Sequence, residues 1–101
     1  MLWHIYILLC DQKTYYVGLT SNLSQRLESH KLKKNLATKK FSDLRLVYSE
    51  DYETRMQAEA REIQLKKWSV AKKKALVDGN KELLIKLSKS RSVLKVDRGQ
   101  W

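Results

Sequence analysis

The sequence predicts an α/β fold of the α+β kind: a small three-stranded, mainly antiparallel sheet flanked by helices, in the order ββαβααα. Two short aromatic and aliphatic runs, 3–10 and 15–20, open the chain around a polar tetrapeptide. A third such run, 45–49, follows a basic loop, and the chain beyond residue 53 is rich in strong helix formers. A chain of 101 residues buries enough surface for one modest core, so residues 1–90 read as one domain. Residues 91–101 show no period and read as a flexible tail.

The first two runs, Trp3 to Cys10 and Tyr15 to Thr20, flank Asp11-Gln12-Lys13-Thr14 and read as a β-hairpin. Thr20-Ser21-Asn22 then offers N-cap oxygens to a helix over 22–34, with Leu23 and Leu27 one turn apart. The stretch 35–43 is polar and basic, a loop, and Arg45 to Ser49 reads as the third strand. A second, longer helix covers 53–68, a third 69–77, and Asp78-Gly79-Asn80 is a turn signal before a fourth over 80–89. Proline is absent and glycine numbers three, so few connections need unusual dihedrals.

Lys and Arg total 21 against 11 Asp and Glu, a formal charge of +10. A field of that sign on so small a body attracts polyanions, nucleic acid first, although an anionic membrane surface or a ribosome would answer the same charge. The single cysteine, Cys10, excludes an internal disulfide and lacks metal-ligand spacing, so it reads as a small buried hydrophobe in a reducing cytoplasm. The apolar run 3–10 is too short for a signal peptide core with its flanks or for a membrane span.

Taken singly, Tyr6 and Tyr16 are ordinary strand residues, Arg26 a partner for some acid, and Glu62 half of a helical ion pair with Lys66. Their order is more informative. His4-Ile5-Tyr6 lies on the first strand and Tyr16-Val17-Gly18 on the second. Arg26 and His30, four residues apart, share one face of the first helix, and Glu62 lies within the second. This set closely resembles the GIY-YIG nuclease superfamily, with His4-Ile5-Tyr6 for GIY, Tyr16-Val17-Gly18 for YIG, and Glu62 for the metal-binding glutamate. The similarity runs over about residues 3–77 and is greatest to short single-domain bacterial members related to the N-terminal nuclease domain of the UvrC excision-repair protein.

The resemblance implies a metal-dependent endonuclease acting on DNA, structure- rather than sequence-selective, in repair or recombination, and a monomer by default. Its catalytic residues would be Tyr6, Tyr16, Arg26 and His30, with Glu62 holding one divalent cation, Mg²⁺ or Mn²⁺. Arginine suits phosphate because its fork donates two parallel hydrogen bonds and stays charged. A tyrosine base needs help, since about 0.1% of a free phenol is ionised at pH 7. Positive charge from Arg26 or a proton acceptor in His30 would supply it; either tyrosine can be the base, the pairing of Tyr6 with His30 being slightly favoured.

Two structural expectations follow. Both tyrosines reach one site only if they share a sheet face, which requires an odd hairpin loop or a bulge; an even, regular hairpin would pair Leu9 with Tyr16 and separate them. Gly18 marks either a bulge or a close approach to its backbone. There are also departures from the family pattern: His4 replaces the first glycine of GIY, Leu19 stands where some relatives carry lysine, and no counterpart of an asparagine beyond the glutamate helix is evident, Asn80 lying too far along. The missing asparagine and lysine leave as the alternative a catalytically weak or inactive nucleic-acid-binding module of the same fold. Phosphate contacts are expected from Lys39, Lys40, Lys66, Lys67, Lys72 and Lys73.

Overall fold

A computed structural model describes residues 1–35 and 37–91. The chain divides into two compact units, Met1–Lys67 and the segment from Trp68 onward. The first holds β1 (Trp3–Cys10), β2 (Thr14–Thr20), α1 (Leu23–Lys31), β3 (Leu44–Tyr52) and α2 (Arg55–Lys66). The second holds α3 (Val70–Asp78) and α4 (Lys81–Arg91). The order ββαβααα and the three-stranded antiparallel sheet are therefore as the sequence predicts. Residues 92–101 of the expected tail lie outside the described residues, and Arg91 closes α4.

The sheet runs β2-β1-β3, which puts the most apolar strand in the centre and leaves β2 and β3 as edges. The hairpin loop is three residues, Asp11 to Lys13, so Leu8 faces Tyr16 and Tyr6 faces Gly18 in an unbroken register. Asp11 and Gln12 take positive φ, 51° and 61°, which closes so tight a loop. The Asp11 carboxylate then accepts from the backbone N–H groups of Ser42 and Asp43, tying this loop to the one before β3. β3 reaches three residues beyond the predicted end because its pairing with β1 continues through Trp3 and Tyr52. Val47 is an extra residue on β3, between the pairs Ile7–Tyr48 and Leu8–Leu46.

Alternation along the strands gives the sheet two different faces. Tyr6, Leu8 and Cys10 point to one, where Leu23 and Leu27 of α1, Tyr16, Phe41 and Leu44 cover them. Cys10 is fully buried, as expected, and burial raises its thiol pKa. Ile5, Ile7 and Val17 point to the other face and are buried. On that face lies α2, with Arg61 bonded to Glu50, the partner of Ile5, and the Arg55 guanidinium 5.2 Å from the Trp3 ring.

Helix ends follow local chemistry. Asn22 caps α1 through the Gln25 N–H, and Thr54 with Gln57 forms a capping box on α2. In the second unit Gly79 takes φ 73° as the C-cap of α3, and the Asn80 side chain accepts from the Leu83 N–H to start α4. Among the described residues, Trp68, Ala75 and Leu84 are its buried apolar ones.

Candidate active site

Parity of the hairpin loop brings Tyr6 and Tyr16 to one face, their ring centroids 6.3 Å apart. α1 crosses that face and sends His30 between them, at 5.7 Å from the Tyr6 ring and 5.4 Å from the Tyr16 ring, edge-on to both. The Tyr6 hydroxyl lies 2.9 Å from His30 Nε2, and His30 Nδ1 lies 2.7 Å from Thr38 Oγ1. Tyr6, His30 and Thr38 are 0%, 1% and 0% exposed, whereas Tyr16 is half-buried. The result is a buried polar chain, Thr38–His30–Tyr6, with Tyr16 at its accessible end.

The electrostatics of this chain keep it neutral. Burial, then the neighbouring Tyr16, pushes the Tyr6 phenol well above its ordinary pKa, and Arg26 opposes that as a cation and hydrogen-bond donor. Burial, then the Arg26 charge, lowers the His30 pKa, so the imidazole is uncharged at neutral pH. Arg26 is half-buried one turn before His30 and forms no ion pair among the described residues. Its fork is therefore not committed to a carboxylate.

Gly18 is explained by close approach, not by a bulge. The Tyr6 ring lies across it, and a Cβ at this position would fall on Cζ, Oη and Cε1 of Tyr6, all under 3.0 Å. A side chain at 18 would therefore displace the hydroxyl that meets His30.

Glu62 lies on α2, on the other face of the sheet from the tyrosines. Its carboxylate is 3.2 Å from Lys66 Nζ and its side chain 20% exposed. No group of three or more His, Cys, Asp or Glu among the described residues is disposed to hold a metal. A single hard carboxylate fits a cation such as Mg²⁺, which completes its shell with water and phosphate oxygens, and does not fit a closed structural zinc site.

A group not foreseen from the sequence engages Arg61, the residue before Glu62. Glu50 accepts two hydrogen bonds from Arg61, Nε and one terminal nitrogen at 2.9 Å each, together with the hydroxyls of Tyr48 and Tyr52. Burial would raise the Glu50 pKa, but these four donors outweigh it and the net shift is downward. The alternation Tyr48, Glu50, Tyr52 is its only trace in the sequence, and it becomes visible only if β3 extends past Ser49.

The candidate phosphate contacts divide. Lys39 and Lys40 are exposed on the loop after α1, with Lys40 Nζ 5.3 Å from the Phe41 ring, and Lys66 and Lys67 are exposed at the end of α2. Lys72 is a correction: it is 8% exposed, its ammonium 4.3 Å from the Trp68 ring centroid, so it serves packing by a cation–π contact. Lys73 is half-buried, and burial lowers its pKa.

The sequence profile of the GIY-YIG catalytic domain matches residues 2–75. This chain belongs to the GIY-YIG family. It is 38% identical over 81 residues to a UPF0213 protein of Syntrophus aciditrophicus, covering 78% of this chain and 93% of that one. A UPF0213 protein of Limosilactobacillus reuteri is 33% identical over 86 residues, covering 81% and 90%. Among solved structures, the solution NMR structure of a UPF0213 protein from Bacillus halodurans superposes with a TM-score of 0.53 at 28% identity, over 79% of this chain and 86% of that one. The relatives are, like this chain, short GIY-YIG proteins. Membership implies nuclease chemistry on a nucleic-acid substrate, and GIY-YIG nucleases generally use divalent metal ions. None of the described helices is long and apolar enough to cross a membrane.

Proposed function

We propose that this GIY-YIG domain is a metal-dependent endonuclease that hydrolyses phosphodiester bonds in DNA, selecting structure over sequence, in cytoplasmic repair or recombination. The observation that carries this reading is the cluster of Tyr6, Tyr16 and His30 on one sheet face, with the Arg26 cation beside it. Arg26 binds a phosphate oxygen and stabilises the charge that grows on it during attack. Tyr16, the half-buried phenol, orients the attacking water. Tyr6, fully buried and holding its proton, organises Tyr16 and Arg26 from behind with His30 as its partner.

On this reading the DNA backbone lies across β2, an edge strand of the sheet. Glu62 is the residue that would hold a divalent cation, Mg²⁺ or Mn²⁺. Such an ion supplies Lewis-acid stabilisation of the phosphate and of the leaving oxygen. Lys39, Lys40 and Lys67 supply sequence-independent phosphate contacts. A second reading, binding without cutting, draws on two observations: Lys66 already pairs with Glu62, and Asn80 is occupied as a helix cap.

Labelled flapped, branched and plain duplex DNA should be incubated with the protein in Mg²⁺, Mn²⁺ or EDTA, beside Glu62→Ala. Metal-dependent cutting that disappears in the variant is the expected result. Salt-sensitive binding with no cutting in any metal would replace the nuclease reading by the binding module.

A further inference from the structure

A neutral imidazole has one N–H for its two nitrogens, and each nitrogen of His30 meets a hydroxyl: Nδ1 that of Thr38 at 2.7 Å, Nε2 that of Tyr6 at 2.9 Å. Two proton arrangements satisfy this chain. In one, Thr38 donates to Nδ1 and Nε2–H donates to the Tyr6 oxygen. In the other, Nδ1–H donates to Thr38 and the Tyr6 O–H donates to Nε2.

The surroundings separate them. Arg26, which has only donors to offer, brings positive charge to the Tyr6 phenol and leaves it no acceptor there. A phenol, which ordinarily ionises at about 10, is a far stronger donor than the aliphatic hydroxyl of Thr38, so the O–H given to the ring is that of Tyr6, to Nε2. Thr38 is held for its part by the fold: its N–H donates to the Asn35 carbonyl at 3.2 Å and its carbonyl accepts from Phe41 N–H at 3.1 Å. The Asn35 side chain caps the same turn at Ala37 N–H, and Lys33 Nζ donates to the Phe41 carbonyl. A threonine at the surface of a basic loop would point into water; this one is 0% exposed and aimed at an imidazole.

We propose that Thr38 is a positioning residue: by accepting from Nδ1–H it holds His30 in the tautomer whose Nε2 accepts the Tyr6 phenol proton. The phenol oxygen is thereby left turned toward Arg26 and Tyr16, where the phosphate and water are handled. The catalytic consequence rests on the nuclease reading above; the tautomer itself does not. Nothing in the run Ala37-Thr38-Lys39 signals this role, because the contact joins a loop to a helix eight residues back.

The test is ¹⁵N NMR of the His30 ring in the wild-type chain, in Thr38→Val and in Thr38→Ser, with cleavage kinetics on the same samples. The wild type should show a protonated Nδ1 and an unprotonated Nε2. Thr38→Val should lose that pattern and Thr38→Ser restore it, with kcat falling about 10-fold or more in the valine variant and KM unchanged. A protonated Nε2 in the wild type overturns the proposal even if the valine variant does not fold. An unaltered ring pattern in folded Thr38→Val overturns it as well. If the tautomer behaves as stated but no protein cuts DNA in any metal, the nuclease reading fails and the positioning role stands.

Discussion

The two faces of the sheet are organised by different interactions. On the α1 face a neutral chain runs through one phenol, an imidazole and a threonine hydroxyl, Tyr6–His30–Thr38, linked at 2.9 and 2.7 Å, with Tyr16 and Arg26 alongside. On the α2 face they are charged, with Glu50 gripped by Arg61 and capped by two tyrosine hydroxyls. A neutral chain can redistribute its protons at little cost, which suits a site for acid–base work. A partly buried ion pair with every carboxylate lone pair occupied resists change, which suits an anchor. Arg61 adjoins Glu62 in the chain, so the anchor fixes the helix turn that carries the candidate metal ligand.

That contrast can be broken at either face. The largest effect is expected on the α2 side. Arg61→Ala leaves the partly buried Glu50 carboxylate without its cation and should cost about 3 kcal/mol, read as a lower urea midpoint at unchanged slope. Gly18→Ala attacks the other face. The added methyl meets the Tyr6 ring, and the strain should cost about 1–3 kcal/mol and abolish cleavage, because the Tyr6 hydroxyl leaves His30. Loss of stability without loss of cutting would show that the Tyr6–His30 hydrogen bond is dispensable.

Acid sharpens the comparison, because the faces should fail in different pH windows. The folded His30 pKa is below its unfolded value of about 6.5, so the unfolded chain binds the extra proton first. Its contribution is complete above about pH 6.5 and is lost as pH falls through the interval down to the folded pKa. Glu50 is also depressed, so its contribution is complete above an unfolded value near about 4.3 and is lost only in stronger acid. Unfolding free energies measured from mildly alkaline to acidic pH should fall in two stages, the first absent in His30→Asn and the second in Glu50→Gln.

The smallest effects concern the lysines. Replacing Lys39 and Lys40 by alanine should flatten the log–log salt dependence of DNA binding by about 0.9 for each phosphate no longer neutralised. Lys72→Ala should leave that slope unchanged and lower stability by about 1 kcal/mol through its cation–π interaction with Trp68. A reduced slope in the Lys72 variant would return that residue to the binding surface.

Much of the fold is legible in the sequence because it rests on local rules. Aromatic and aliphatic strand runs, the Asn22 cap and the Gly79 turn each act within a few residues, and each element appears within three residues of its expected ends. The demand for an odd hairpin loop is legible too, since side-chain parity is a counting rule, and three residues satisfy it. The far end of β3 is not, because Glu50 and Asp51 are poor strand formers; their pairing with Ile5 and His4 overrides that preference.

What the sequence by itself determined is the strand and helix order, the family, and the hairpin parity that Tyr6 and Tyr16 need in order to share one face. Only the tertiary structure decided that Thr38 joins His30, that Glu50 and Arg61 form an anchor, that Gly18 makes room for a ring, and that Lys72 serves packing. Each of these depends on which side chains from distant segments meet away from water, where an unpaired polar group is costly and a paired one is held. Spacing along the chain carries periodicity and parity; partnership across the fold is settled by burial.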